Sequence, residues 1–276
     1  MDVFAPRSLE EALELRFTHP EATPVAGGTD LMVDVNARRI RPTALLDLSH
    51  VDELQSWGRD NGRVFVGAGM TFARIARELT EFEPLVEAAR SVASAQIRNR
   101  ATIGGNLATA SPAGDSIPVL AAYGADVVAA SSSTWMRRIP LDEFLVGPKR
   151  TSLASDELIV GVEWHPVAGP GSFAKVGRRN AMVIAIASAC LQVDEERHGV
   201  RLALGSVGPT VLRAARAEEF AAGLDWSDPA TRAEFAHLAA TETQPIDDLR
   251  GSAAYRRHVV EVLARRALEH AHEERC

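Results

Sequence analysis

Cysteine is almost absent from this chain. Its 276 residues hold two, Cys190 inside the apolar run from Val183 to Val193 and Cys276 at the last position. Iron–sulfur clusters normally take four thiolates, so the chain cannot ligate one alone, and its cysteines are expected to form neither a metal site nor a disulfide. Long apolar runs are missing too: none reaches the roughly 20 residues that a membrane-spanning helix needs, so no membrane insertion is expected. The start, MDVFAPRSLEEALEL, carries acidic residues early and no cationic segment followed by an apolar run. No signal peptide is therefore expected, and the chain reads as cytoplasmic. Basic charge is not in excess: 30 Lys and Arg against 37 Asp and Glu give a formal charge of −7. That balance offers no electrostatic reason to bind nucleic acid or an anionic membrane. Tandem repeats and low-complexity tracts are missing, as is the Gly-x-Ser-x-Gly elbow of serine hydrolases. His270 and His272 lie two apart on an expected helix and share no face, so no metal site is expected from them.

What is present supports an ordered, two-domain chain. Apolar residues make up 46%, ample for a sizeable core, and the length suits two packed domains or one large one. Ser8, with Glu11 three residues on, predicts a helix start before the stripe Leu9, Ala12, Leu13 and Leu15. Strands are expected at 23–26, 44–48, 63–67 and 126–130, and helices at 72–79 (capped by Thr71), 84–94 and 117–123. This alternation predicts an α/β unit. Pro166 to Gly171 holds two prolines and two glycines and reads as a linker, placing the domain break between Val162 and Gly171. Beyond it, 182–193 and 200–207 read as strands. The remainder reads as helical, ending in an amphipathic helix with Tyr255, Val259, Val262, Leu263 and Ala267 on one face.

Three constellations carry chemistry. Ala26-Gly27-Gly28-Thr29-Asp30-Leu31 stands where a strand ends. Paired glycines permit positive φ, so their N–H groups can converge into a nest that suits a diphosphate, with the Thr29 hydroxyl as a further donor. The same residues also make an ordinary turn. Thr102-Ile103-Gly104-Gly105-Asn106 repeats the pattern, with Ser111 and Asp115 following closely. Two amide-rich loops suit a ligand with two phosphates. Asp115 fits either as an acceptor for a ribose or ribityl hydroxyl or as the N-cap of the next helix. The third constellation, Lys175-Val176-Gly177-Arg178-Arg179-Asn180, is a basic cluster entering an apolar strand, as a counter-charge for an anionic cofactor or as a solvated edge. Phe144 to Thr151 is a second basic loop. Val66-Gly67-Ala68-Gly69-Met70-Thr71-Phe72 begins like a dinucleotide fingerprint, but Phe72 fills the third glycine position, so a structural strand–helix turn is expected.

The ordered set AGGTDL, VGAGMTFARIA, IRNRATIGGNLATASPAGDSIPVL, FLVGPKRT and KVGRRNAMVIA resembles the medium, FAD-binding subunit of the xanthine dehydrogenase and carbon monoxide dehydrogenase family of molybdenum hydroxylases. The likeness runs from about Phe4 to Pro209, and TIGGN followed by ASPAGD is its most distinctive part. It implies an α+β chain: a two-subdomain PCMH-type FAD-binding α/β domain over 1–167 (subdomains about 1–55 and 56–167), then an α+β C-terminal domain of antiparallel sheet and helices over 168–276. It further implies noncovalent FAD, with the diphosphate on Ala26 to Leu31 and Thr102 to Asn106 and with Ser111 nearby. Asp115 would bind the adenosine end or its ribose, and Lys175 and Arg179 would be basic residues beside the flavin. Molybdopterin and [2Fe–2S] clusters would belong to a large and a small partner subunit, in a dimer of heterotrimers, with NAD⁺ or another acceptor taking the electrons. The complex would oxidise a purine, with a carbon monoxide, nicotinate or aldehyde dehydrogenase, or a stand-alone FAD oxidoreductase, as alternatives. The chain departs from the family pattern at Val183, where many members have Asp, and at Pro148, where an aromatic is usual. Both bear on the electron acceptor rather than on FAD binding.

Overall fold

The computed structural model describes residues 1–275; Cys276, and with it half of any statement about cysteine pairing, lies outside them. The chain packs as two units. One comprises Met1–Arg74, Ala95–Ala110 and Ala125–His165; the other comprises Ile75–Ser94, Ser111–Gly124 and the chain from Pro166 onward.

The first unit holds two main sheets. Asp2–Phe4, Ala44–Asp47 and Ala22–Val25 form a parallel sheet with Ala44–Asp47 in the middle. Parallel strands need a crossover, and the helix Leu9–Thr18 supplies the one from Asp2–Phe4 to Ala22–Val25 at the opposite edge. That helix starts where the sequence marks it. Ser8 Oγ accepts from the Glu11 amide at 3.2 Å, and the Glu11 carboxylate accepts from the Arg7 amide at 2.8 Å, while Leu9, Ala12 and Leu13 are buried. The second sheet is antiparallel, in the order Trp57–Asp60, Arg63–Gly67, Leu158–Trp164, Asp126–Ala130, Arg137–Pro140. Its central strand, Leu158–Trp164, is buried at every position and lies where the sequence reading placed only the approach to a linker. Buried on both faces, it shows no alternation to betray a strand. Gly161 is required there, because a Cβ would lie 2.5 Å from the Phe65 ring and 2.6 Å from the Val66 carbonyl oxygen.

The second unit is an antiparallel meander, Gly171–Val176, Ala187–Asp194, Gly199–Gly205 and Leu212–Arg213, covered by helices. Along Ala187–Asp194, Ala187, Ala189, Leu191 and Val193 join a core with Phe235, Val260 and Leu263 from the C-terminal helices Pro229–Thr241 and Ala253–Glu273. The alternate residues, Ser188, Cys190 and Gln192, are buried as well and point the other way. This is the expected α+β arrangement.

Three expectations are corrected. The strand expected from Met182 begins at Ala187, and Met182 instead takes φ +51° in a loop. The segment read as a second glycine loop is the helix Ile103–Thr109. The last helix buries Arg256, Val259, Val260, Leu263, Ala264, Leu268 and Ala271, whereas Tyr255 is exposed. Its inward face is turned because Arg256 is drawn inside to the carbonyls of Ile186 and Ser206 and to Asp248. Among the described residues no helix is long and apolar enough to cross a membrane.

Candidate functional site

In the first unit the strand Ala22–Val25 ends at Ala26, and the chain turns through Gly27 and Gly28 into the short helix Leu31–Asn36. Gly28 has φ +70°, a conformation open to glycine at little cost. Gly27 is fixed by contact: a Cβ would fall 2.0 Å from the Arg100 carbonyl oxygen, so this turn lies directly on the segment leading to Thr102. The amides of Ala26, Gly27, Gly28, Thr29 and Asp30 donate to no acceptor among the described residues. Asp30 accepts from Thr109 Oγ1 at 3.4 Å, a second tie to the helix Ile103–Thr109, and half-buried Leu31 opens the short helix.

The second glycine pair is used differently. Thr102 caps its helix, with Oγ1 accepting from the Gly105 amide at 3.0 Å. The amides of Ile103 and Gly104 donate to the carbonyls of Met70 (3.0 Å) and Ala68 (2.9 Å), and that of Asn106 to Thr102 (3.0 Å). Four of the donors expected to face a ligand, those of Ile103, Gly104, Gly105 and Asn106, are thus spent within the protein. Gly104 permits close packing, since a Cβ would meet that of Ala68 at 2.5 Å. Gly105 is open: its nearest neighbour would be Thr102 Oγ1 at 3.1 Å. Beside it lies an apolar cleft of about 130 Å³, lined by Val25, Ala26, Gly105, Ala108 and Ile159 among others. The discounted fingerprint is a structural turn, as expected. A Cβ on Gly67 would strike the Leu54 carbonyl oxygen at 2.4 Å, and Thr71 Oγ1 accepts from the Arg74 amide at 3.3 Å. Pro148 sits exposed in the turn before Arg150–Thr151, where the Lys149 amide donates to the Ala110 carbonyl at 3.1 Å.

In the second unit, Asp115 occupies the N-cap position of Ser116–Tyr123, yet its carboxylate makes no capping bond. Oδ2 accepts from Lys175 Nζ at 2.5 Å and from Ser91 Oγ at 3.3 Å, while Oδ1 is buried without a hydrogen-bond partner among the described residues. Burial pushes the Asp115 carboxyl above the ordinary carboxylate value, and the paired Lys175 opposes that rise. Lys175 Nζ also donates to the carbonyls of Ser91 (2.9 Å) and Val183 (3.2 Å). Ser111 Oγ accepts from the Ala113 amide at 3.3 Å. Arg179 is exposed and folds back on its own loop, donating to the carbonyls of Ala181 (3.1 Å) and Met182 (2.7 Å). Val183 packs on Gly177, where a Cβ would lie 2.1 Å from Val183 Cγ2. The structure thus brings Ala26 to Leu31 together with Thr102 to Asn106 in one unit, and Asp115 together with Lys175 in the other. Ser91 and the Val183 carbonyl were not foreseen, because a main-chain acceptor leaves no mark in a sequence.

Two family matches bear on this geometry. Residues 1–164 match the FAD binding domain in molybdopterin dehydrogenase, and residues 172–271 match the CO dehydrogenase flavoprotein C-terminal domain. The chain belongs to the FAD-binding subunits of the molybdenum hydroxylases. It is an oxidoreductase subunit, and its cofactor is FAD. The nicotine 6-hydroxylase medium subunit of Paenarthrobacter nicotinovorans is 34% identical over 276 residues, covering 97% of this chain and 95% of its own length. The nicotinate dehydrogenase FAD-subunit of Eubacterium barkeri is 31% identical, covering 80% of this chain and 79% of its own. Among solved structures, quinoline 2-oxidoreductase from Pseudomonas putida 86 superposes with TM-score 0.90 at 31% identity, covering 99% of this chain and 97% of that one. The carbon monoxide dehydrogenase from Hydrogenophaga pseudoflava gives TM-score 0.91 at 28% identity, covering 100% and 98%.

The residues present fit such a cofactor. Five successive amides without acceptors form a donor set for an anionic diphosphate, and the cleft beside Gly105 offers apolar surface next to them.

Proposed function

We propose that the chain relays electrons within a molybdenum hydroxylase complex, drawing them from [2Fe–2S] clusters on a small partner subunit and passing them to an acceptor such as NAD⁺. Molybdopterin, in this reading, sits on a large subunit, and the assembly is a dimer of heterotrimers. The observation that carries the reading is the run of open amides at Ala26 to Asp30 seated against Arg100. FAD, when bound, supplies the one- and two-electron redox chemistry. The chain's residues bind and orient it: Ala26, Gly27, Gly28, Thr29, Asp30 and Leu31 hold the diphosphate. Thr102, Ile103, Gly104, Gly105 and Asn106 give it close approach, Ser111 and Asp115 serve its remaining polar groups, and Lys175, whose three donors are held within the protein, contributes its charge. Arg178 and Arg179, which have no carboxylate partner among the described residues, are the basic edge that favours negative charge on the flavin. The division into modules 1–167 and 168–276 belongs to this reading. So does a purine as substrate of the complex; relatives named for nicotinate, caffeine and nicotine support a nitrogen heterocycle.

The deciding measurement is the visible absorption spectrum of the purified chain, before and after heat release of the chromophore. A flavin spectrum with free FAD in the supernatant is expected. A colourless chain that also takes up no added FAD overturns the reading of the glycine loops. Anaerobic NADH should then bleach the flavin if NAD⁺ is the acceptor. Co-purification of the tagged chain should bring down molybdenum and iron in the partner subunits. Turnover of hypoxanthine by the assembled complex tests the purine, and turnover of another heterocycle with hypoxanthine unchanged removes it.

A further inference from the structure

Lys175 stands near the end of the strand Gly171–Val176 with 9% of its side chain exposed, against 8% for its partner Asp115. An ammonium has three N–H donors, and all are used: on Asp115 Oδ2, on the Ser91 carbonyl and on the Val183 carbonyl. The three acceptors belong to three stretches of chain, namely the last turn of the helix Glu83–Ser91, the start of Ser116–Tyr123, and the loop before Ala187–Asp194. A buried ion pair is a poor source of net stability, since desolvation offsets the attraction, but it does hold its members in one arrangement.

The loop from Gly177 to Ile186 needs such a hold. Met182 takes φ +51°, and the side chains of Met182 and Ile184 are more than half exposed. Arg179 bonds only within the loop, and Arg178 reaches the Leu249 carbonyl at a long 3.4 Å. The Lys175 bond to Val183 enters the middle of this segment. We propose that Lys175 is the positioning residue of the 177–186 loop: held by Asp115, it grips the Val183 carbonyl and so sets where Arg178 and Arg179 stand. The use of those arginines rests on the flavin reading above; the grip itself does not.

Trypsin cuts after Arg178 and Arg179, so the loop reports on itself in the full chain without added cofactor. The variant carrying Lys175→Met and Asp115→Asn together removes both charges, leaves no unpaired ion and deletes the bond to Val183. Cleavage at these two positions is expected to rise roughly tenfold, as loss of a hydrogen bond to a charged donor implies, with Tm shifted by only a few degrees. Cleavage there at the wild-type rate overturns the proposal, and so does cleavage that rises equally at sites across the chain. Should the double variant not fold, the wild-type chain in mild urea decides. Amine labelling of Lys175 and nicking at Arg178 and Arg179 should then rise together below the global transition. Nicking that precedes any labelling of Lys175 overturns the proposal. A wild-type chain that fails to bind FAD while these results hold counts against the flavin reading alone.

Discussion

The turn at Ala26 to Asp30 and the node around Lys175 are both polar and enclosed by neighbouring segments, yet they are built from different material. The turn is main chain, shaped by absent side chains: Gly27 lets it lie on Arg100, Gly28 takes positive φ, and five amides remain to be satisfied from outside. The node is side chain and charge, with a buried ammonium and carboxylate satisfied almost wholly from inside, apart from Asp115 Oδ1. One is steric and indifferent to pH; the other is electrostatic and tied to it.

That contrast can be broken most forcefully at the node. Lys175→Met alone leaves the buried Asp115 carboxylate without its partner and should cost about 3 kcal/mol in urea unfolding at neutral pH. At the turn, Gly27→Ala should cost about 1–3 kcal/mol at every pH tested, because the collision with the Arg100 carbonyl is steric. A cost that varied with pH would erase the distinction drawn here. The node should show the pH dependence that the turn lacks. The folded-state pKa of Asp115 is raised, so its favourable contribution is full below the ordinary carboxylate value and is lost as pH rises through the raised one. The stability of wild type relative to Asp115→Asn should therefore be highest at and below about pH 4 and decline as pH rises towards neutrality, and a difference that grows with pH would refute the assignment. The smallest effect on stability is expected at Gly105→Ala. Its Cβ meets only Thr102 Oγ1 and helix propensity favours alanine, so unfolding should change by under about 1 kcal/mol. FAD titration should nevertheless show weaker binding, and unchanged affinity would remove Gly105 from the proposed contact surface.

Much of this was written in the residues. The strands Arg63–Gly67 and Asp126–Ala130 were bounded correctly by apolar pattern and flanking turns, and Ser8 with Glu11 marked its helix. Both glycine pairs were visible, because a missing Cβ is itself a sequence signal. Their difference was not: whether an amide is spent or open depends on which carbonyl is brought near, as Met70 and Ala68 are brought to Ile103 and Gly104. Two adjacent glycines lower helix propensity by roughly 1 kcal/mol each, which hid the helix Ile103–Thr109 until its Thr102 cap and its packing on Ala68 outweighed them. Arg256 looked like a surface residue and turned the expected face of the last helix, since two of its three acceptors, the Ile186 and Ser206 carbonyls, come from distant segments. Asp115 was legible as a cap by position, but only tertiary structure turns its carboxylate away to Lys175.

The strand Leu158–Trp164 lies in the centre of a sheet whose other four strands all precede it in the chain. During synthesis, Trp57–Asp60 with Arg63–Gly67 and Asp126–Ala130 with Arg137–Pro140 can each form a hairpin early, but each then exposes an unpaired edge. Only when the seven residues of the last strand emerge do both edges close at once, with a register shift at Ile159 and Gly161 where it meets Asp126–Ala130. The first unit is therefore a late-locking structure of high contact order. Its nascent form is the stage most exposed to edge-to-edge association, and a chain halted before residue 158 would present two sticky hairpins in place of one sheet.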